Sequence, residues 1–96
     1  MPTYISLCRW TQQGAQKIKE APARLDAGRK AFQADGVKIL QFFMTMGEYD
    51  FVIITEAPND EVLAKAALSL MSQGNVTSQT SRAFTESEYR SVIASL

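Results

Sequence analysis

The centre of the chain carries the feature that most restricts its fold, a pair of strand-like segments separated by only two residues. Residues 37–46 and 49–56 are rich in β-branched and aromatic side chains, and Gly47 and Glu48 lie between them. A glycine accepts the positive φ of a tight turn, so the two segments are predicted to pair as a β-hairpin. Helical patterns precede and follow this hairpin, which indicates an α+β arrangement.

A strand and an interrupted helix are predicted before the hairpin. Residues 3–10 (TYISLCRW) form the strand, which ends before Thr11, a good helix N-cap. Residues 12–35 have helical periodicity, but Pro22 lacks a backbone N–H, so we expect a kink near Ala21 and two helices. The apolar residues that recur every seven positions, as on one buried helix face, are Ile18, Leu25 and Phe32.

A helix, a polar strand and a final helix are predicted after the hairpin. Residues 59–61 give the first of these helices a capped, acidic start, and Gly74 stands where its C-terminal cap belongs. Residues 75–83 predict the fourth strand. Thr85 and Glu88 form a capping box before an amphipathic C-terminal helix.

The predicted order of elements is therefore β-α-β-β-α-β followed by a helix. The helical segments between strands one and two and between strands three and four are crossovers. Because crossovers are right-handed, both segments lie on one side of a single antiparallel sheet with strand order 4-1-3-2. This arrangement is the ferredoxin-like α+β fold. No linker, repeat or low-complexity segment interrupts residues 1–96, so we expect one domain.

Alternation along the hairpin strands predicts which side chains share a face of the sheet. In the third strand, residues 51 and 53 point one way, and residues 52 and 54 point the other. In the second strand, the same rule predicts two sets of apolar side chains on opposite faces. One set is Val37, Ile39 and Phe43, and the other is Leu40, Phe42, Met44 and Met46.

Helices that cover only one face would leave about six large apolar side chains in water, a patch of the kind that marks an interaction surface. We expect a second copy of the chain to cover this patch, with two sheets stacked around a two-fold axis as a dimeric α+β barrel. The alternative is that the C-terminal helix folds under the sheet and covers it within one chain.

The composition argues against several classes of partner. Ten basic and ten acidic side chains give no positive excess for nucleic acid or anionic lipid. One cysteine and no histidine exclude a disulfide framework and the common zinc sites, and we expect neither a metal nor a cofactor. No segment approaches the roughly 20 apolar residues that span a bilayer, and the first residues lack a secretory pattern. We therefore expect a cytoplasmic protein with no membrane partner.

A small polar site is predicted where the first and third strands lie side by side. Because these strands are antiparallel neighbours, the end of one lies beside the start of the other. In a functional interpretation, Tyr49 is a hydrogen-bond donor or acid, Asp50 an anion or base, and Trp10 an apolar wall. An Arg9 partner would satisfy Asp50, which is costly to bury alone. In a structural interpretation, Asp50 holds the turn at Gly47 while the aromatic rings pack.

Two kinds of sulfur-containing side chain receive different predictions. Cys8 lies inside the first strand and is expected to be a buried, inert thiol. Met44 and Met46 are expected to line a dimer core or an adaptable pocket and not a metal site, because no other soft ligand accompanies them. Met44 is therefore a fifth candidate ligand-binding residue, beside Arg9, Trp10, Tyr49 and Asp50.

Five short motifs follow one another along nearly the whole chain. They are Trp10-Thr11-Gln12-Gln13-Gly14, Gly47-Glu48-Tyr49-Asp50, Glu56-Ala57-Pro58, Gly74-Asn75-Val76 and Arg82-Ala83-Phe84-Thr85. Together they resemble the GYD-domain family of small bacterial proteins, which is named for a Gly, a Tyr and an Asp. In this chain Glu48 stands between the Gly and the Tyr. The resemblance implies a ferredoxin-like fold of the dimeric α+β barrel kind. It implies little about activity.

Two functions stay open at this point. The first is a homodimer or higher homo-oligomer that binds a small apolar or aromatic molecule or serves as an assembly module. The second is a cofactor-independent oxygenase or isomerase that uses Tyr49, Asp50 and Arg9, an idea that rests on fold analogy. The absence of histidine counts against the enzyme, since these three side chains would carry all proton transfer.

Overall fold

A computed structural model describes residues 1–96 and places four strands in one antiparallel sheet with helices beside it. The strand order is β2-β3-β1-β4, which is the predicted order read from the opposite edge, so the ferredoxin-like α+β fold is confirmed. The strands are β1 (Thr3–Trp10), β2 (Lys38–Met44), β3 (Phe51–Glu56) and β4 (Val76–Ala83). The helices are α1 (Gln12–Gln16), α2 (Ala21–Ala34), α3 (Asp60–Ser72) and α4 (Glu86–Ala94).

The interruption predicted in the first helical segment is present. Helix α1 ends at Gln16, a 3₁₀ turn covers Ile18–Glu20, and α2 begins at Ala21. Pro22 lies in the first turn of α2, where its missing N–H removes no intrahelical hydrogen bond. Gly36 follows the helix with a φ of 83°, a left-handed conformation that glycine adopts without steric cost and that ends the helix.

Side-chain caps begin the last two helices where the sequence predicts them. The Asn59 carbonyl oxygen Oδ1 accepts a hydrogen bond from the backbone N–H of Val62 at 2.9 Å, which caps α3. The Thr85 hydroxyl and the Glu88 carboxylate form the predicted capping box of α4. The first of these caps satisfies an amide that α3 leaves without an intrahelical partner, and the box does the same for α4.

Helices α2 and α3 pack on one face of the sheet, which we call the helix face. The molecule is 17 Å across its thinnest dimension, as expected for a sheet covered by a single layer of helices. The residues buried between the two layers include Tyr4, Cys8, Phe51 and Ile53 from the sheet, Phe32 from α2, and Leu63 and Ala66 from α3.

A bulge in the edge strand β2 makes the predicted grouping of its side chains wrong. Ile39 lies opposite Thr55, and Gln41 lies opposite Ile54, which leaves Leu40 without a partner in β3. One inserted residue reverses the alternation beyond it, so side chains that strict alternation separates come to share a face. The register places Ile39, Phe42 and Met44 on the helix face and Gln41 and Phe43 on the opposite face.

The opposite face of the sheet, which we call the open face, carries no helix. Its apolar side chains form two neighbouring rows, since directly paired residues of adjacent strands point the same way. Phe43 is 52% exposed and Ile5 is 36% exposed. The apolar members are Phe43, Val52 and Leu7 in one row, and Ile54 and Ile5 in the next.

Helix α4 does not cover the open face, so the alternative expectation for this helix is wrong. No residue of α4 is buried. Its apolar side chains Tyr89, Val92 and Ile93 are each half-exposed or more. Both the open face and α4 therefore present apolar surface that this chain leaves uncovered.

Candidate functional site

The structure brings together the ends of β1 and β3, as predicted, but it pairs their charged groups differently. The backbone N–H of Asp50 donates to the carbonyl of Cys8 at 2.8 Å. The Asp50 carboxylate oxygen Oδ2 accepts from the backbone N–H of Trp10 at 2.9 Å. The β1–β3 ladder ends at the pair of Cys8 and Phe51, so this carboxylate satisfies the next amide beyond the ladder.

Arg9 binds Glu48 and not Asp50, so the expected pairing of Arg9 with Asp50 is wrong. The guanidinium Nε donates to the Glu48 carbonyl at 2.7 Å, and an Nη donates to its carboxylate at 2.9 Å. The same guanidinium lies 4.8 Å from the centre of the Tyr49 ring. The β1–β3 register would place Asp50 opposite Arg9, but the ladder ends before Asp50. The Asp50 carboxylate instead accepts from the Trp10 amide, which leaves Arg9 to Glu48.

The five candidate residues consequently lie in two places. Arg9 and Tyr49 belong to the open face, where the Tyr49 hydroxyl donates to the Gln79 side chain at 2.9 Å. Trp10 and Met44 belong to the helix face and line a cavity beside α2. Asp50 lies between the two groups, and its carboxylate accepts a hydrogen bond from the backbone N–H of Trp10.

The cavity between α2 and the sheet has a volume of about 440 Å³. On its sheet side, the Phe51 ring lies 5.7 Å from that of Trp10 and 5.3 Å from that of Phe42. Fourteen of its nineteen lining residues are hydrophobic. The apolar stripe that the sequence assigns to a buried helix face, Ile18, Leu25 and Phe32, borders this cavity.

A group of residues that the candidate list missed holds α1 against the start of β4. The Thr11 backbone N–H donates to the Asn75 carbonyl at 3.0 Å, and its hydroxyl donates to the Gly74 carbonyl at 2.5 Å. The Gln13 amide donates to the Asn75 side chain at 2.9 Å. A Cβ on Gly14 would lie 2.2 Å from the Asn75 carbonyl oxygen. We call these five residues the motif junction.

The motif junction explains two of the five sequence motifs in structural terms. Its members come from Trp10-Thr11-Gln12-Gln13-Gly14 and Gly74-Asn75-Val76, which are separated by some sixty residues in the chain. The sequence signal was present in those motifs, because a glycine inside a short helix is unfavourable unless close packing requires it. Except for the bond between the Gln13 and Asn75 side chains, their contacts involve backbone atoms, which is typical of residues that fix a fold.

Two buried groups on the helix face have pKa values moved by their surroundings. Cys8 is fully buried, as predicted, and burial raises the pKa of its thiol to about 11. Burial also raises the pKa of Tyr4, whose hydroxyl donates to the Asp60 carboxylate, and that hydrogen bond acts in the same direction. A thiol with such a pKa is neutral at pH 7 and a poor nucleophile.

The structure contains no group of three or more Cys, Asp or Glu residues that could hold a metal ion. None of its helices combines the length and apolar character needed to cross a membrane.

Comparisons with known proteins agree with the family that the motifs indicate. The family model of the GYD domain matches residues 4–93. A protein of Thermus thermophilus, named a glutamine synthetase and cystathionine beta-lyase binding protein, is 35% identical over 81 residues, which cover 83% of this chain and 85% of that protein. No solved structure is significantly similar to the chain. The chain belongs to the GYD-domain family.

Proposed function

We propose that the protein is a homodimeric binding module for other proteins and that its open face forms the dimer interface. The observation that carries the dimer is the open face itself, where five apolar side chains lie side by side without a covering element. The chain has no net charge, so two copies do not repel one another over long distances. Contiguous apolar patches of this kind mark protein interfaces.

The size of the two uncovered surfaces supports a joint role for them in the dimer. Four strands spaced about 4.8 Å apart and about seven residues long give a sheet face of roughly 450 Å². A stable interface buries about 800 Å² on each partner. Helix α4 is about 14 Å long and 10 Å wide, so packing it on the other copy would bury roughly 140 Å² of the helix itself. It would also bury a similar area of the surface on which it packs. We therefore propose that each α4 packs on the other copy.

The length of α4 supports the same arrangement. Isolated helices shorter than about 12 residues are marginal in water, and most of their stability in proteins comes from packing. Helix α4 has nine residues and buries none of them within its own chain. Packing against a second copy would supply the contacts that the monomer lacks.

The relative from Thermus thermophilus supports a role in binding other proteins, because its name describes a protein that binds glutamine synthetase and cystathionine beta-lyase. A homodimer would present each binding surface twice, and two linked contacts bind far more tightly than one. We propose that this protein binds metabolic enzymes of the same two kinds.

Purified enzymes test this proposal directly. Glutamine synthetase and cystathionine beta-lyase from the same organism are titrated against the immobilised protein in biolayer interferometry. We expect saturable binding of at least one enzyme and none of an unrelated enzyme of similar charge. A monomeric Val52→Lys variant should bind at least tenfold more weakly if the dimer contributes two contacts. Failure of both enzymes to bind wild-type protein would contradict the proposed partners.

A second candidate function is the binding of a small apolar or aromatic molecule. The cavity beside α2 favours it, because its volume and apolar lining lie in the range typical of small-molecule sites. The enzymatic alternative has no comparable support. Among its three proposed groups, Arg9 binds Glu48 and Asp50 binds a backbone amide, and none of the three lines the cavity beside α2.

A further inference from the structure

The cavity beside α2 is apolar except for one end that carries a cation. Arg24 is the one charged residue among the nineteen that line it. Asn75 also borders the cavity, and Arg24 donates to the carbonyl of Gly14, which packs against Asn75. The polar lining is therefore concentrated where α2 approaches the motif junction.

No carboxylate lies within hydrogen-bond distance of the Arg24 guanidinium. Its side chain is 22% exposed, and it donates to the carbonyls of Lys17 at 2.9 Å and Gly14 at 3.2 Å. The nearest carboxylate is that of Glu20 at 4.0 Å, and Glu20 is two-thirds exposed to solvent. A guanidinium carries five N–H donors, so the two carbonyls leave donors free for an anion. A cation in an apolar setting binds an anion more strongly than one in water does.

The rest of the cavity suits a flat ring. The side chains of Trp10, Phe42 and Phe51 line it with aromatic surface, and aromatic ligands stack on such surfaces. The space exists because α2 presents a small residue there. A Cβ built on Gly28 would meet no atom within 4 Å.

We propose that this cavity binds a planar aromatic molecule that carries one anionic group, such as an aromatic monocarboxylate. The ring lies against Trp10, Phe42 and Phe51, and the anionic group binds the guanidinium of Arg24. This inference rests on the second candidate function above, small-molecule binding, and adds the charge of the ligand and the residue that recognises it.

Two probes of equal shape test the proposal. The binding of 2-naphthoate and of its uncharged counterpart 2-naphthamide is measured by isothermal titration calorimetry. The fluorescence of Trp10, the single tryptophan of the chain, confirms that the probe reaches the cavity. We expect 2-naphthoate to bind about tenfold more tightly than the amide, because its carboxylate forms charge-assisted hydrogen bonds.

Variants separate the cavity from the charge. Arg24→Gln should reduce the preference for the carboxylate below about threefold, and Arg24→Lys should restore part of it. Arg29→Gln removes an exposed arginine from the same helix and should change neither affinity. Gly28→Leu should fill the cavity and abolish the binding of both probes while the melting temperature stays at or above that of the wild type.

The outcomes distinguish the two levels of the proposal. Equal affinities of wild-type protein for the two probes, or a preference that survives in Arg24→Gln, would overturn the anionic ligand and leave the cavity as an apolar site. Unchanged binding to Gly28→Leu would show that the probes bind elsewhere. If neither probe binds the wild type, small-molecule binding in this cavity is wrong as well.

Discussion

Both faces of the sheet carry apolar side chains, and the faces differ in what covers them. The helix face is covered by α2 and α3 and buries Tyr4, Cys8 and Ile53 almost completely. The open face carries Leu7 and Val52 in the same strands with nothing above them. An uninterrupted apolar run such as Phe51-Val52-Ile53-Ile54 is typical of a strand that is buried on both sides. The chain therefore covers one face with its own helices, and in the proposed dimer a second copy covers the other.

The largest expected effect concerns the motif junction, which attaches α1 to the start of β4. Gly14→Ala should lower the free energy of unfolding by about 3 kcal/mol, because the new methyl group overlaps the Asn75 carbonyl and backbone must move. Urea unfolding followed by circular dichroism measures the change. The control is Gly28→Ala, the same substitution at an unobstructed helical position, which should raise stability by about 1 kcal/mol. Equal effects at the two glycines would contradict the role of the motif junction.

A smaller loss is expected at the boundary between the two faces. Asp50→Ala removes the acceptor of the Trp10 amide and should lower the unfolding free energy by about 2 kcal/mol. Asp50→Asn keeps an oxygen at the same place and should lose about half as much. Chemical denaturation of both variants measures these losses. If both variants are as stable as the wild type, Asp50 does not stabilise the fold, and this result would favour a ligand-binding role.

The parts of the fold that the sequence predicts are those with local signals. Thr11, Pro22 and Gly47 each restrict the backbone near themselves, and the strands and helices follow from such residues and from periodicity. The bulge at Leu40 has no signal of this kind, because it depends on how β2 pairs with β3. The predicted grouping of β2 side chains therefore fails beyond that residue.

The candidate site was predictable in position and not in its contacts. Antiparallel neighbours bring Trp10 near Asp50, which strand order alone dictates. The choice of Glu48 as the partner of Arg9 depends on the path of the chain between Glu48 and Asp50, where the ladder has ended. The size of the cavity beside α2 was not predictable, since a periodic apolar stripe gives no measure of the distance between a helix and the sheet it faces.

The last effect, which is limited to alkaline solution, concerns a buried thiol of the helix face and the pH dependence of the unfolding free energy. Burial raises the pKa of Cys8 from 9.0 to about 11. Below pH 9 the thiol is neutral in both states, and its contribution to stability is constant. Between about pH 9 and 11 the thiol ionises in the unfolded chain alone, so the unfolding free energy should fall as the pH rises.

Comparison with Cys8→Ala isolates this contribution, because Tyr4 also has a raised pKa and acts in the same direction at higher pH. Denaturation at a series of pH values should give a shallower decline for Cys8→Ala than for the wild type. The native thiol should also fail to react with a thiol reagent at pH 8. Parallel declines and rapid thiol modification would show that the helix face is open to solvent.

The most direct test of the account is the mass of the protein in solution, measured by sedimentation equilibrium over a range of concentrations. The open face predicts a wild-type mass of twice the 10.6 kDa of one chain. Val52→Lys, which places a charge at the centre of that face, should give a folded monomer. Gln33→Lys adds the same charge to the exposed side of α2 and should remain a dimer. A monomeric wild type, or a Val52→Lys dimer as tight as the wild type, would contradict the claim that a second copy covers the open face.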